Sequence, residues 1–210
     1  MGNRYRSYWS NSRNVNLIVF LGRNLSPFPG LREIMNSIKW KKRNYDKGAS
    51  RSRVQSNQWI SDNASEITGD VLSIGSDHDK DGEGNFYRDY FTRADSYTTS
   101  DLEGNVDLIL DVRNMKVPNE RYDCVFIGGV LEHVDDVHKA VKEIRRILKK
   151  GGTVLAGTPF RQPIHMEDDY WRFTKRGLEY LFKSFNIQEI KPIDTDINNF
   201  PVAYWLKANK

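Results

Sequence analysis

From Gln55 onward, apolar and polar residues alternate in two periods. Trp59, Ile60, Ala64 and Ile67 recur near helical spacing and Gly69 follows, which predicts a helix that stops there. Short apolar runs of strand length come next: Val71–Ile74, Tyr97–Ser100, Val106–Leu110, Cys124–Ile127 and Thr153–Ala156. Four of the five are rich in β-branched or aromatic residues and bounded by turn residues. Between the fourth and fifth runs, Val137, Ala140, Val141, Ile144, Ile147 and Leu148 form one stripe at i, i+3, i+4 spacing. Asp135 or Asp136 can cap that helix, Lys149 and Lys150 sit in its last turn, and Gly151-Gly152 ends it. A further helix starts at Thr174 with Leu178, Leu181, Phe182 and Phe185 inward, before two more strands, Ile187–Ile190 and Val202–Leu206.

Strands alternating with helices predict an α/β fold: a mainly parallel, seven-stranded, Rossmann-like sheet with helices on both faces and an antiparallel last strand. Such sheets bind ligands beyond the carboxyl ends of their strands. The residues just after each strand are therefore where chemistry is sought: Gly75, Asp101, Asp111 and the pair Gly128-Gly129.

Composition changes this picture at one end only. The 210 residues carry a net charge of +4, but the first 53 hold 12 lysines and arginines against Glu33 and Asp46, or +10, leaving −6 for the rest. Residues 1–54 read as a basic extension and linker, the linker falling at Asn44–Arg53, and residues 55–210 as the domain. With Trp9, Phe20, Phe28 and Trp40 in it, residues 1–53 suit an arm packed on the domain, or peripheral contact with an anionic membrane or polyanion. No motif for specific nucleic-acid binding accompanies the charge. The longest apolar run, Leu17–Leu21, is far too short to span a bilayer, and the N-terminus does not read as a secretory leader. One cysteine, Cys124, excludes an internal disulfide framework, and a cytoplasmic location is expected.

The stretch Asp70–Gly84, DVLSIGSDHDKDGEG, admits two ligands. Asp77, Asp79, Asp81 and Gly82 match the first half of a calcium loop, but position twelve of that pattern is Arg88, where a bidentate glutamate is needed. The alternative is the first strand–helix corner of a nucleotide-type fold. Acids ending the second and third strands, Asp101 and Asp111, and the glycines ending the fourth favour the latter. No metal site is expected.

From about Gly69 to Phe185 the chain resembles the class I S-adenosylmethionine-dependent methyltransferases, especially the type 11 group. The matching stretches are DVLSIGS, TTSD, LILDVRNMKVPNERYDCVFIGGVLEHV and AVKEIRRILKKGGTVLAGTP. HMEDDYWRFTKRGLEYLF is similar to a branch associated with bacterial surface-glycan and cell-envelope gene sets. The resemblance implies S-adenosylmethionine as cofactor. Gly75, Ser76 and Asp77 would lie along its methionine part, Asp101 at the ribose hydroxyls and Leu102 beside the adenine. Asp111 and the backbone N–H of Val112 would meet the adenine edge, and Gly128 would line the methionine end. The chain departs from the family pattern at Ser73, where an acid is usual, and at Asp77, where a glycine is usual.

Methyl transfer to a hydroxyl needs a placed acceptor and a group that takes its proton. Histidine exchanges protons readily near neutral pH, so His133 and His165 are the catalytic candidates, although Glu132-His133 also suits a helix cap. Asp169, Tyr170, Trp171 and Arg172 combine flat aromatic faces with hydrogen-bonding groups suited to a sugar, or form a small lid. Cys124, inside a strand, is expected to be a buried apolar residue. The resulting expectation is O-methylation of a sugar or other small hydroxyl in surface-glycan or envelope synthesis. The competing expectations are a non-catalytic binding or regulatory protein with a degenerate first loop, a nicotinamide-dependent oxidoreductase, which would want G-x-G-x-x-G at Gly75, and a membrane-docked adaptor.

Overall fold

The computed structural model describes residues 50–196 and 198–210. Most of the expected linker, and Trp9, Phe20, Phe28 and Trp40 of the basic arm, lie outside the described residues, so those expectations have no structural counterpart here.

The described elements run α1 (Arg51–Ala64), β1 (Gly69–Ile74), a 3₁₀ turn (Tyr87–Tyr90), β2 (Ala94–Asp101), β3 (Leu108–Ile109) and β4 (Tyr122–Gly128). A second 3₁₀ turn (Leu131–His133), α2 (Val137–Ile147), β5 (Leu148–Pro159), α3 (Lys175–Leu181), β6 (Asn186–Ile193) and β7 (Ala203–Asn209) complete them. The seven strands form one sheet in the order β3-β2-β1-β4-β5-β7-β6. The ladders from β3 to β5 are parallel, and β7 runs antiparallel between β5 and β6.

Strand alternation sorts the side chains into two cores, one on each face. Leu72, Val125, Ile127, Val154 and Ala156 join the core that holds the apolar stripes of α2 and α3. The intervening residues Val71, Cys124, Phe126 and Leu155 join a second core with Trp59, Ile60 and Ala64 of α1. Both faces of β1 and β4 are covered, which is why their sequences read as continuous apolar runs. Fully buried side chains such as Ile144 and Leu206 each contribute about 1.5–3 kcal/mol through area removed from water.

Trp205 seals the α1 face. It stacks on Phe126 and Trp59 with ring centroids 5.8 and 5.4 Å away. It fits only because Gly157 and Gly128 have no side chains: a Cβ at either would come within 2.6 and 2.8 Å of its ring. Gly128 therefore makes room for a core tryptophan.

Several element limits differ from the sequence reading, each for a local reason. The first helix starts at Arg51, because the Ser50 hydroxyl accepts from the Arg53 N–H at 3.3 Å, and it ends at Ala64, before Gly69. Of the two candidate caps on α2, Asp136 accepts from the Lys139 N–H at 2.9 Å. That helix stops at Ile147, because Leu148 already pairs with Tyr122 and Lys149 reaches Asp123 at 2.7 Å. The third strand shrinks to Leu108–Ile109, and the helix expected from Thr174 runs over Lys175–Leu181, with Thr174 as its cap accepting from the Gly177 N–H at 3.0 Å.

Candidate functional site

The strand ends of β1 to β4 open onto a cavity of about 390 Å³. This size falls within the range of small-molecule sites. Gly75 ends β1 with φ +75°, and a Cβ there would lie 2.2 Å from Val130 Cγ2. Only glycine takes that turn without steric cost while letting the β4 connection approach. The N–H groups of Gly75 and Ser76 both bond the Ser100 carbonyl, at 2.8 and 3.1 Å, tying the turn to β2.

Asp101 ends β2 at the cavity wall. Its Oδ1 accepts from the Leu102 N–H at 2.7 Å and its Oδ2 from the Asp77 N–H at 3.3 Å. An ionised carboxylate offers about four acceptor positions, so these two bonds orient it without exhausting it. Leu102, an exposed apolar side chain, lines the cavity beside it. Asp111 follows β3 and is gripped by Arg113: Nε lies 3.0 Å from Oδ1 and Nη2 2.8 Å from Oδ2. That guanidinium holds the Asp111 carboxyl below its ordinary pKa, with burial opposing it. Arg113 also reaches Asp135 at 2.8 Å, so it bridges the β3 and β4 sides of the opening.

Gly75, Asp101, Leu102, Asp111, Val112 and His133 thus line one cavity with Gly129 of the expected glycine pair, joined by Arg113, Val130, Asp135 and Asp168, to which the sequence reading assigned no ligand role. Ser76, Asp77 and Gly128 stand outside its lining. Ser76 is buried with its hydroxyl on the Ser73 carbonyl at 3.1 Å, and Asp77 is exposed, accepting from the Asn105 N–H at 3.2 Å. At the end of β4 the neighbour Gly129 lines the cavity in place of Gly128, which belongs to Trp205.

The aspartates of the first loop diverge. Asp79 accepts from Arg88 at 2.8 Å and Tyr97 at 2.9 Å. Asp81 takes Asn57, Asn85 and the Tyr90 hydroxyl at 3.0, 3.0 and 2.6 Å. Burial and Asp81 push the Tyr90 phenol up to about 12. These acids fasten the loop to α1 and β2, each turned to its own protein partners. Cys124 is fully buried, and burial pushes its thiol pKa well up, consistent with an inert side chain.

The segment after β5 is bolted to the turn after β4. The Glu132 carbonyl accepts from the N–H groups of Tyr170 and Trp171 at 2.8 and 3.2 Å. The Trp171 indole N–H donates to the Val134 carbonyl at 2.8 Å, and the ring stacks on Phe173. Arg172 clasps Asp169 through both carboxylate oxygens and lowers that carboxyl's pKa. Asp169, Trp171 and Arg172 therefore satisfy one another and the main chain. Of the four residues expected to meet an acceptor, Tyr170 alone lines the cavity, where its hydroxyl donates to Asp168 at 2.9 Å. His165 lies outside the lining but is brought beside His133, ring centroids 5.0 Å apart. Behind them sits Glu132, its side chain 3% exposed, with burial raising its pKa.

None of the curated proteins matches the chain in sequence. Residues 88–156, about a third of the chain, match a family model described as a methyltransferase domain. Among solved structures, N-methyltransferase NodS from Bradyrhizobium japonicum WM9 superposes with a TM-score of 0.60 at 10% identity, covering 76% of this chain and 96% of that one. The Burkholderia thailandensis 1,6-didemethyltoxoflavin-N1-methyltransferase, with bound 1,6-didemethyltoxoflavin and S-adenosylhomocysteine, gives 0.57 at 13%, covering 98% and 92%. The [4+2]-cyclase SpnF gives 0.58 at 13%, covering 74% and 81%. This chain therefore has the Rossmann-like fold of the class I methyltransferases and carries a methyltransferase-domain match over residues 88–156.

Proposed function

We propose that the protein is an S-adenosylmethionine-dependent methyltransferase acting on a small hydroxyl-bearing acceptor. The observation that carries this reading is the convergence of Gly75, Asp101, Leu102, Asp111 and Val112 on one cavity at the strand ends. The residues suit the cofactor chemically. A carboxylate at Asp101 accepts from paired ribose hydroxyls, an exposed Leu102 offers a flat base an apolar face, and the glycine at Gly75 lets a ligand approach the backbone. Asp111 can accept from an exocyclic amine, sharing its carboxylate with Arg113 or displacing it. When bound, S-adenosylmethionine supplies a methyl group on a cationic sulfur, to be taken by an oxygen whose proton has to be removed.

The residues of the chain arrange the rest. His133 and Tyr170 border the cavity on the side of the β4 and β5 connections, where an acceptor would stand. The His133 ring is oriented by the Asp168 carbonyl 2.9 Å from its Nδ1, which fixes the hydrogen on that nitrogen and leaves Nε2 to receive a proton. We assign the acceptor to sugars or similar small hydroxyl compounds of surface-glycan or envelope synthesis. The basis is the similarity of the 165–182 stretch to that branch, together with the Tyr170, Asp168 and Met166 side chains at the mouth. A cytoplasmic location, and contact of the basic residues 1–53 with a membrane or polyanion, belong to the same proposal; no helix among the described residues is long and apolar enough to cross a membrane.

The test is calorimetric titration of the full chain with S-adenosylhomocysteine and, separately, with NADH. Binding of the first at micromolar concentration, with none of the second, supports the proposal. Failure of a folded protein to bind S-adenosylhomocysteine overturns it in favour of a non-catalytic role. The SpnF similarity adds only that this fold is not confined to methyl transfer, since there it serves a [4+2]-cyclase.

A further inference from the structure

We propose that Glu132, His133 and His165 form a binding site for a transition-metal dication of the zinc class, held by one carboxylate oxygen and two imidazole nitrogens at the edge of the cavity. Among the described residues, this is the one grouping of three whose ligating atoms all lie within 4.8 Å of one another. A tetrahedral zinc with bonds of about 2.0–2.1 Å separates its ligands by about 3.3 Å, so small side-chain rotations close the site.

The hydrogen bonds prepare both rings as ligands. His133 Nδ1 lies 2.9 Å from the Asp168 carbonyl. His165 Nδ1 lies 3.1 Å from Asp169 Oδ2 and 3.3 Å from the Pro163 carbonyl. Carbonyl oxygens only accept, so each ring carries its hydrogen on Nδ1 and its lone pair on Nε2. Metal-ligating histidines are held in this way, with the second nitrogen donating to a carbonyl or carboxylate.

Glu132 supplies an independent observation. Its side chain is 97% shielded from solvent, its Oε2 has no hydrogen-bond partner, and its Oε1 lies 3.9 Å from His133 Nε2. A buried carboxylate oxygen without a donor is costly, and a dication between it and two imidazole lone pairs would remove that cost. Arg172, the cation facing this group, is neutralised by Asp169 and does not compete for it. The two segments that carry the ligands are locked together through the Glu132 carbonyl, so the grouping is built into the fold.

Three protein ligands leave a coordination position open, as in catalytic zinc sites, and His133 places that position beside the cavity. A hydroxyl bound there would lose its proton more easily, and with the metal in place His133 would act as a ligand in place of the base assigned above. The binding claim rests on these three residues and does not depend on the methyl-transfer reading. The sequence expectation of no metal rests on the aspartate loop, whereas these ligands are brought together only by the fold.

The test uses the full chain without a histidine tag, stripped with EDTA and titrated with Zn²⁺ by calorimetry and with Co²⁺ by visible absorption. One equivalent should bind, with the absorption of a four- or five-coordinate cobalt site. His165→Ala, at a partly exposed position, should weaken binding by at least about 100-fold, ligand loss exceeding the usual effect of supporting residues. Glu132→Gln, which keeps the shape and removes the charge, should weaken it similarly, and His138→Ala should have no effect. Circular dichroism shows whether each variant is folded. The absence of stoichiometric uptake overturns the proposal, as does uptake that a folded His165→Ala protein retains. S-adenosylhomocysteine binding is read separately, so failure of one proposal is distinct from failure of the other.

Discussion

The Nδ1 atom of His133 lies 2.9 Å from the main-chain oxygen of Asp168, joining the turn after β4 to the segment after β5. One histidine thus gains both a fixed tautomer and a fixed place at the cavity. If it acts on the acceptor, His133→Ala should lower turnover by about 10²–10⁴-fold. S-adenosylhomocysteine affinity should change little, because an interaction made only in the transition state appears in kcat. Steady-state kinetics alongside calorimetry separate this outcome from a residue that merely supports the cofactor pocket, whose loss would weaken binding instead.

Gly75 and Gly128 both end strands at this edge of the sheet, yet they should respond differently to alanine. At Gly75 the positive φ and the close Val130 Cγ2 make any Cβ unfavourable. Gly75→Ala should cost at least about 1–2 kcal/mol of stability and weaken S-adenosylhomocysteine binding. At Gly128 the added carbon meets Trp205, on the side away from the cavity lining. Gly128→Ala should lower the melting temperature and leave affinity nearly unchanged. Thermal melts with and without ligand check both.

Trp205 itself should be among the most sensitive core positions. It stacks on Trp59 and Phe126 over two glycines that nothing else covers as closely. Trp205→Ala should destabilise by about 3–5 kcal/mol, as for other large-to-small core changes. Denaturant unfolding measures it.

The Asp169–Arg172 pair predicts a pH dependence with a definite sign. Arg172 depresses the Asp169 pKa in the folded chain. Its contribution to stability is therefore fully present above the ordinary aspartate value of about 3.9 and is lost as the pH falls through the lowered folded value. In a His165→Gln background, which removes the imidazole 3.1 Å from Asp169, the melting-temperature gap between Asp169 and Asp169→Asn proteins should be constant from about pH 5 to 8 and should narrow only below about pH 4. A gap that changes across the neutral range contradicts this assignment.

The sheet was legible because burial on both faces writes strands as unbroken apolar runs, and the α2 stripe has one unambiguous helical period. The placement of Asp101 and Asp111 at the cavity was legible because the end of a parallel strand is a defined place. What escaped depended on partners distant in sequence. Gly128 reads as a ligand-facing glycine until Trp205, 77 positions later, is seen against it. Asp169, Trp171 and Arg172 read equally as a recognition cluster or a small lid, and only the fold shows them bonded to one another and to Val134. Glu132 reads as part of a helix cap, and only the fold shows it buried behind two histidines. Arg113 has no distinguishing signal in the sequence, and its grip on Asp111 and Asp135 is a property of the tertiary arrangement.

The measurement that tests the central claim most directly is S-adenosylhomocysteine binding by the parent, Asp101→Ala and Asp77→Ala. Both aspartates belong to the same strand-end region, but only Asp101 lines the cavity. The account predicts micromolar binding by the parent and a loss of at least about tenfold in Asp101→Ala, each charge-assisted hydrogen bond being worth about 1.5–3 kcal/mol. Asp77→Ala should keep near-parental affinity. Equal effects of the two substitutions, or no binding by the folded parent, would contradict the assignment of this cavity.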